Sequence, residues 1–257
     1  MADCNAVKTP LPPGIKLSKK DMPLNDAERE EMRGKPYAEA LGAVMYLARG
    51  TRPDLAYPVH ILARAMSNPG MAHWNALRHL LRYIKGTLDY CISYDGYDSE
   101  GLSPTAYSDS SLGDCIDTGR SSHGFVVTLS GGPVSWSSKR QDCVYLSTAE
   151  AEYVALVHAG KTIVWIKNFL DELGLHTNDT LLIRGDNKGS GSIATKTINY
   201  GRARHIRLAY FWLRERVRER SLKVVHIPGT QNPADIMTKA VTADVNGRHV
   251  RFLGLAS

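Results

Sequence analysis

Ser147-Thr-Ala-Glu-Ala-Glu-Tyr153 is the stretch that points most directly to the fold, because it places two carboxylates at the start of an apolar run. Ser147 or Thr148 can cap a helix here, and Glu150 stands where a capping box requires an acid. Glu152 is then left without a capping function. An acid in the first turn of a helix is usually solvated and favoured there by the helix dipole. Taken alone, Glu152 fits that ordinary interpretation.

Three further acids lie at the ends of strand-like runs or at a helix start, namely Asp109, Asp186 and Asp235. Divalent cations such as Mg²⁺ prefer oxygen ligands and borrow phosphate oxygens from a substrate. Two such ions about 4 Å apart can activate a water and stabilise the leaving oxygen in phosphodiester cleavage. Each acid also has an ordinary explanation, as a turn residue or a first-turn helix residue. Spacing alone therefore leaves a metal site and unrelated acids equally open.

Composition and charge narrow the class of protein. The chain has 257 residues, which suffice for one large domain or two modest ones. It has no apolar run long enough to cross a bilayer and no signal peptide, so we expect an intracellular protein without a membrane partner. The net charge is +6, and residues 202–223 carry eight basic side chains against two acidic ones. That segment predicts a phosphate-facing helix, although a solvated amphipathic helix has the same composition.

Composition shifts divide the chain into a largely irregular tether over 1–36, a helical segment over 37–90, an α/β domain over 91–241 and a tail over 242–257. Within the α/β domain, the patterns follow the order β-β-β-α-β-α-β-α, which predicts a mixed five-stranded sheet flanked by helices. The turn residues Ser130-Gly-Gly-Pro133 predict a hairpin. We also expect a strand at 91–94, a helix break near Gly160, a helix cap at Asp54 and a closing helix over 233–240.

Several motifs occur together in this chain. They read Thr51-Arg-Pro-Asp54, Tyr107-Ser-Asp-Ser-Ser-Leu-Gly113, Leu146-Ser-Thr-Ala-Glu-Ala-Glu-Tyr-Val-Ala155, Gly185-Asp-Asn187 and Ala234-Asp-Ile-Met-Thr-Lys239. In combination they resemble the RNase H region of copia-type LTR retrotransposon Pol polyproteins. The stretches before Tyr90 are similar to the thumb or connection segment that follows the polymerase palm in that family. The resemblance covers nearly the whole chain.

The resemblance implies an RNase H-like α/β fold and Mg²⁺-dependent hydrolysis of the RNA strand of an RNA–DNA hybrid, with Mn²⁺ as the alternative ion. It assigns catalysis and metal binding to Asp109, Glu152, Asp186 and Asp235. Glu152 is chosen over Glu150 because Glu-Tyr-Val-Ala matches the family's helix start. As a hypothesis, Asp109 bridges two ions, Glu152 and Asp186 hold the ion on the leaving-group side, and Asp235 holds the ion that activates water. The expected partners are the hybrid and the remainder of the reverse transcriptase, in the cytoplasm or in virus-like particles.

Nucleic-acid contacts are predicted at Ser110, Gln141, Asn187, Arg202, Arg204, Arg207 and Arg214. Asn187 adjoins Asp186 and is the best candidate for reading 2′-hydroxyls in the minor groove, whereas Gln141 could equally be an exposed loop residue. The arginines would follow the DNA phosphates. The chain lacks an adjacent Asp-Asp pair, so polymerase activity is not expected of it. It could be a fragment, a processed product or a separate gene.

Three other functions stay open from the sequence. The first is a catalytically inactive or domesticated nucleic-acid-binding module of the same fold. The second is an integrase-like nuclease, for which Glu215 or Glu219 would have to supply the third acid, although both lie within the basic segment. The third is a helical interaction protein in which residues 1–100 are the active part.

Overall fold

The computed structural model describes residues 3–94, 96, 102–175, 177–189 and 204–256, without the side chains of 204–207, 209 and 256. Its α-helices are α1 (Asp26–Met32), α2 (Tyr37–Gly50), α3 (Ala56–Ala63), α4 (Met71–Lys85), α5 (Thr148–Glu172), α6 (Arg204–Arg218) and α7 (Ala243–Phe252). Its strands are β1 (Cys91–Ile92), β2 (Thr105–Ser111), β3 (Ser122–Leu129), β4 (Gly132–Arg140), β5 (Leu181–Gly185), β6 (Leu222–His226) and β7 (Leu255–Ala256). No helix within these described ranges is both long enough and apolar enough to span a membrane.

Among the described residues, the main sheet has five strands in the order β4-β3-β2-β5-β6. The first three strands form an antiparallel meander, and β5 and β6 run parallel to β2. The predicted hairpin closes with Ser130 and Gly131, which have φ of 51° and 83° and therefore suit a two-residue turn of the primed type. The mixed sheet with helices on it confirms the predicted RNase H-like α/β fold. Its central strand β2 ends beside β5, and this edge carries the candidate site.

Helix α5 covers one face of the sheet with α6, and its apolar side chains form a core with β5 and β6. The helix is continuous from Thr148 to Glu172, so the predicted break near Gly160 is wrong. A Cβ at position 160 would lie 3.2 Å from Trp212 Cζ3 and 3.3 Å from Ile183 Cδ1. The glycine therefore allows α5 to pack closely on α6 and β5, and this packing outweighs its weak helix propensity.

The opposite face of the sheet is covered by a short 3₁₀ turn, Pro233–Met237, and by α7. The closing helix predicted over 233–240 is thus limited to that turn. The tail assigned to 242–257 contains α7 and β7, and β7 pairs with β1 in a separate two-stranded sheet. The strand expected at 91–94 consequently lies outside the main sheet. These pairings bring the two ends of the α/β part together.

Helices α2, α3 and α4 form a second apolar core. Asp54 does not cap a helix as expected; its carboxylate is buried and accepts hydrogen bonds from Arg52 Nε at 2.9 Å and Arg52 Nη2 at 2.8 Å. Part of the predicted tether packs on this core, because Leu11 is only 1% exposed. The helical segment also contacts the sheet, since Trp136 Nε1 donates to Ala48 O at 2.6 Å.

Candidate metal centre

Three acids come together at the edge where β2 and β5 end. Asp109 lies on β2 and is buried, Asp186 directly follows β5, and Glu152 lies on the second turn of α5. Parallel neighbouring strands deliver their carboxyl ends to the same edge of a sheet, which explains why residues 77 positions apart can meet there. One carboxylate oxygen from each acid lies within 4.8 Å of the other two. This group is called the acid triad below.

The two glutamates at the start of α5 have different environments. Ser147 caps the helix, because its hydroxyl accepts from the Glu150 N–H at 3.2 Å. Glu150 Oε2 accepts from the Leu146 N–H at 3.2 Å, which keeps that side chain at the helix start. Glu152 is 7% exposed, and its Oε1 accepts from the Ser110 N–H at 3.2 Å. Glu150 therefore belongs to the cap, and Glu152 is fixed to β2 beside Asp109.

The electrostatics of the acid triad favour binding of a cation. The pKa of Glu152 is raised to about 8, mainly by burial and also by the charges of Asp109 and Asp186. Burial also raises the pKa of Asp109 to about 6, although Lys239 acts in the opposite direction. The pKa of Asp186 is raised by burial and by Asp235. Carboxylates that are desolvated and repel one another are stabilised by a nearby positive charge, so the triad fits a divalent metal ion with oxygen ligands.

Asp235 is placed differently from the other three acids. It lies on the 3₁₀ turn, and within the described part of the chain it is not a member of the acid triad. Its Oδ1 accepts from Lys239 Nζ at 3.1 Å, and the same ammonium lies 3.3 Å from Asp109 Oδ2. The Lys239 ammonium therefore bridges the carboxylates of Asp235 and Asp109.

The turn that carries Asp235 is tied to the central strand. Asn232 is fully buried, its Nδ2 donates to Ser108 O at 3.0 Å, and its Oδ1 accepts from the Ala234 N–H at 3.2 Å. The Thr238 hydroxyl donates to Asp109 Oδ2. Sequence reasoning assigned no function to Thr238 or Lys239. Their positions, three and four residues after Asp235, could have indicated a contact with it, because a helical turn brings such side chains to the same side.

Two of the polar residues predicted to contact nucleic acid are buried. Gln141 is 2% exposed, and its Nε2 donates to Ala151 O at 2.8 Å, so it supports the first turn of α5. Ser110 is 8% exposed and contributes its backbone N–H to Glu152. Both side chains are buried, and the prediction that they contact nucleic acid stays a prediction. Asn187 is half-buried beside Asp186, and its Oδ1 accepts from the Gly189 N–H at 2.8 Å.

The arginine candidates lie on or near α6. Arg202 lies outside the described residues, as do the side chains of Arg204 and Arg207, whereas Arg214 is half-buried. Tyr210 and Leu213 anchor the helix to the core. Leu208, on the same helix, is 64% exposed.

The strand order, together with an acid triad at the ends of β2 and β5 and the start of α5, defines an RNase H-like domain. In comparisons with known proteins, no family model matches the chain. It is 41% identical over 241 residues to the retrovirus-related Pol polyprotein from transposon TNT 1-94 of Nicotiana tabacum, covering 94% of this chain and 18% of that protein. It is 34% identical over 243 residues to the corresponding polyprotein from transposon RE1 of Arabidopsis thaliana, covering 94% of this chain and 16% of that protein.

Among solved structures, the RNase H1 of the halophilic archaeon Halobacterium salinarum is similar, with 21% identity, 52% of this chain and 93% of that chain covered, and a TM-score of 0.37. A likeness of this size carries no argument by itself, and the fold is assigned from the strand order. The polyprotein relatives are decisive: the chain belongs to the family of copia-type retrotransposon Pol polyproteins. It spans less than a fifth of the length of these two relatives.

Proposed function

We propose that this chain is a ribonuclease H that hydrolyses the RNA strand of RNA–DNA hybrids during retrotransposon reverse transcription. The observation that carries the proposal is the convergence of Asp109, Glu152 and Asp186 within 4.8 Å at one edge of the sheet. Carboxylates on separate elements of a rigid scaffold keep fixed separations, as metal-assisted phosphodiester hydrolysis requires. Membership in the Pol family supports the choice of substrate.

Mg²⁺ is the ion we propose for the acid triad, with Mn²⁺ able to take its place. When bound, such an ion activates a water and stabilises the oxygen that leaves the scissile phosphate. The oxygens of Asp109, Glu152 and Asp186 would hold it, and hard carboxylate oxygens are the ligands it prefers.

Hydrogen bonds within the chain hold the carboxylates of Glu152 and Asp109 in position. The Ser110 N–H fixes Glu152, and the Thr238 hydroxyl fixes Asp109. The Ser110 N–H belongs to the backbone of β2, and Thr238 directly follows the 3₁₀ turn. Because these donors are held by ordered elements, the carboxylates of Glu152 and Asp109 cannot easily separate when a substrate binds. Since Asp109 is almost fully buried and Asp186 is half-buried, Asp186 marks the side of the site that a phosphate can approach.

Hybrid recognition would combine two contacts. Asn187 directly follows Asp186, and its amide would bond a 2′-hydroxyl of the RNA strand. Helix α6 and its flanking residues would follow the DNA phosphates, because residues 202–223 carry eight basic side chains against two acidic ones. The first contact would select the RNA strand, and the second would supply affinity.

The test is cleavage of an RNA–DNA hybrid labelled on each strand in turn, with Mg²⁺, beside matched duplex RNA and duplex DNA. We expect RNA fragments from the hybrid alone, and loss of the product in Asp109→Asn and Asp186→Asn. Asp89→Asn is the matched control, because Asp89 is an exposed aspartate outside the site.

Two results would overturn the proposal. Product that survives in both variants at the wild-type rate would exclude the acid triad as the catalytic site. Salt-sensitive binding of the hybrid by the wild type, with no Mg²⁺-dependent product, would instead identify a non-catalytic binding module of the same fold.

A further inference from the structure

Lys239 is the cation nearest to the acids in the described structure. Its Nζ lies 3.3 Å from Asp109 Oδ2 and 3.1 Å from Asp235 Oδ1, so one ammonium joins two carboxylates that come from different elements. The Asp109 side chain is 1% exposed and that of Asp235 is 19% exposed, whereas the Lys239 side chain is 43% exposed, so the ammonium reaches a buried carboxylate from the surface. Because Asp109 is buried, water screens its attraction to the ammonium less than it screens an ion pair on an open surface.

The position of Lys239 follows from the short turn that precedes it. The Thr238 and Lys239 N–H groups donate to Asp235 O at 3.1 Å and 3.0 Å, which closes the end of the 3₁₀ turn. This turn directs the Thr238 hydroxyl and the Lys239 ammonium to the same oxygen of Asp109. Asp109 Oδ2 therefore has two partners from this turn, the Thr238 hydroxyl and the Lys239 ammonium.

The contacts of Lys239 affect Asp235, the fourth acid assigned by the family resemblance. Asp235 lies outside the acid triad, and its Oδ1 is engaged by Lys239. A divalent ion placed between Asp109 and Asp235 would have to displace an ammonium that already bonds both of them. The ammonium and a divalent ion could not both lie there, because both would need the same oxygens, Asp109 Oδ2 and Asp235 Oδ1.

We propose that Lys239 takes the place of a second metal ion, so that this centre binds one divalent cation at the acid triad. The inference rests on the proposed function in so far as it concerns the same centre. It differs from the hypothesis of two ions, in which Asp235 holds the ion that activates water. Here Asp235 orients Lys239, and Lys239 supplies the positive charge on that side of Asp109.

The test is the number of Mn²⁺ ions bound per chain, measured by titration with electron paramagnetic resonance detection of free Mn²⁺. Mn²⁺ alone is the probe, so the readout does not depend on hydrolysis. We expect one ion in the wild type and two in Lys239→Gln, because the vacated space between Asp109 and Asp235 then accepts a cation. Lys239→Arg should keep one ion, and Lys161→Gln, which changes an exposed lysine on α5, should also keep one.

A double variant identifies the second position. Adding Asp235→Asn to Lys239→Gln should return the number of ions to one, whereas Asp235→Asn alone should leave it at one. Two ions in the wild type, or one ion in a folded Lys239→Gln protein, would overturn the inference. If Lys239→Gln fails to fold, two ions in Lys239→Arg or a loss of the single ion in Asp235→Asn would overturn it equally. Absence of hybrid cleavage with these ion counts intact would refute the proposed function and leave the inference standing.

Discussion

Gly124 on β3 lies opposite Asp109 in the antiparallel register, and the 3₁₀ turn packs directly on it. A Cβ at this position would be 2.3 Å from Met237 Cβ and 3.0 Å from the Met237 carbonyl carbon and oxygen. These are backbone and Cβ atoms of a fully buried residue, so no side-chain rotation can relieve the contact. Gly124→Ala must therefore separate the turn from the sheet.

We expect Gly124→Ala to lower the free energy of unfolding by about 2–3 kcal/mol, at the upper end of the usual cost of overpacking. Because Met237 directly precedes Thr238, the displaced turn carries the Thr238 hydroxyl and Lys239 away from Asp109. A shift of about 1 Å in supporting groups can reduce a rate on the order of a hundredfold. Urea denaturation measures the first effect, and hybrid cleavage with Mg²⁺ at a temperature where the variant is folded measures the second.

Gly42→Ala provides the matched control, because Gly42 lies within α2 and a Cβ there would meet nothing within 4 Å. That variant should be stabilised by about 1 kcal/mol, since alanine is the better helix former, and it should cleave normally. A Gly124→Ala protein as stable and as active as the wild type would refute the argument that this close approach holds the turn in place.

Three further predictions concern titration, a buried ion pair and salt. The raised pKa of Glu152, to about 8, means that the folded protein binds an extra proton between about pH 4.5 and pH 8, so stability falls as pH rises through that window. Glu152→Gln should therefore unfold at a higher temperature than the wild type at pH 8, and the advantage should vanish at pH 4. Arg52→Met should cost about 3–5 kcal/mol in urea denaturation, because it leaves the buried carboxylate of Asp54 without its partner; a loss below about 1 kcal/mol would contradict this. Hybrid affinity should fall steeply with salt, and Arg214→Ala should reduce the slope of log affinity against log salt by about 1, whereas an unchanged slope would remove Arg214 from the phosphate contacts.

The sheet could be predicted because its signals are local. Apolar runs of strand length, the turn at Ser130 and the capping residues before α5 each depend on a few neighbouring residues. The order of strands then follows from the short hairpin and from helices that connect parallel strands. The assignment of Glu152 came from the family motif, and the structure places that residue beside Asp109 and leaves Glu150 at the cap.

The features that the sequence did not predict depend on contacts between residues that are distant in the chain. Gly160 suggested a helix break, yet α5 continues through it, and the absent side chain leaves room for Trp212. Gln141 is polar and lies between elements, yet its side chain is buried and its Nε2 donates to Ala151 O. The insertion of Lys239 between two acids depends on how the 3₁₀ turn sits on β2. The family resemblance assigned Asp235 to a metal centre and could not reveal that an ammonium lies between Asp235 and Asp109.

The pair of glutamates at the start of α5 offers the most direct test of the proposed site, because they differ by two positions and carry the same side chain. Mg²⁺-dependent cleavage of a labelled RNA–DNA hybrid should be measured for Glu152→Gln and Glu150→Gln side by side. We predict a loss of about a hundredfold or more for Glu152→Gln, beyond what removal of an outer partner of a metal ligand usually costs, and a near-normal rate for Glu150→Gln. Equal rates in the two variants, or a larger loss in Glu150→Gln, would contradict the assignment of Glu152 to the metal centre.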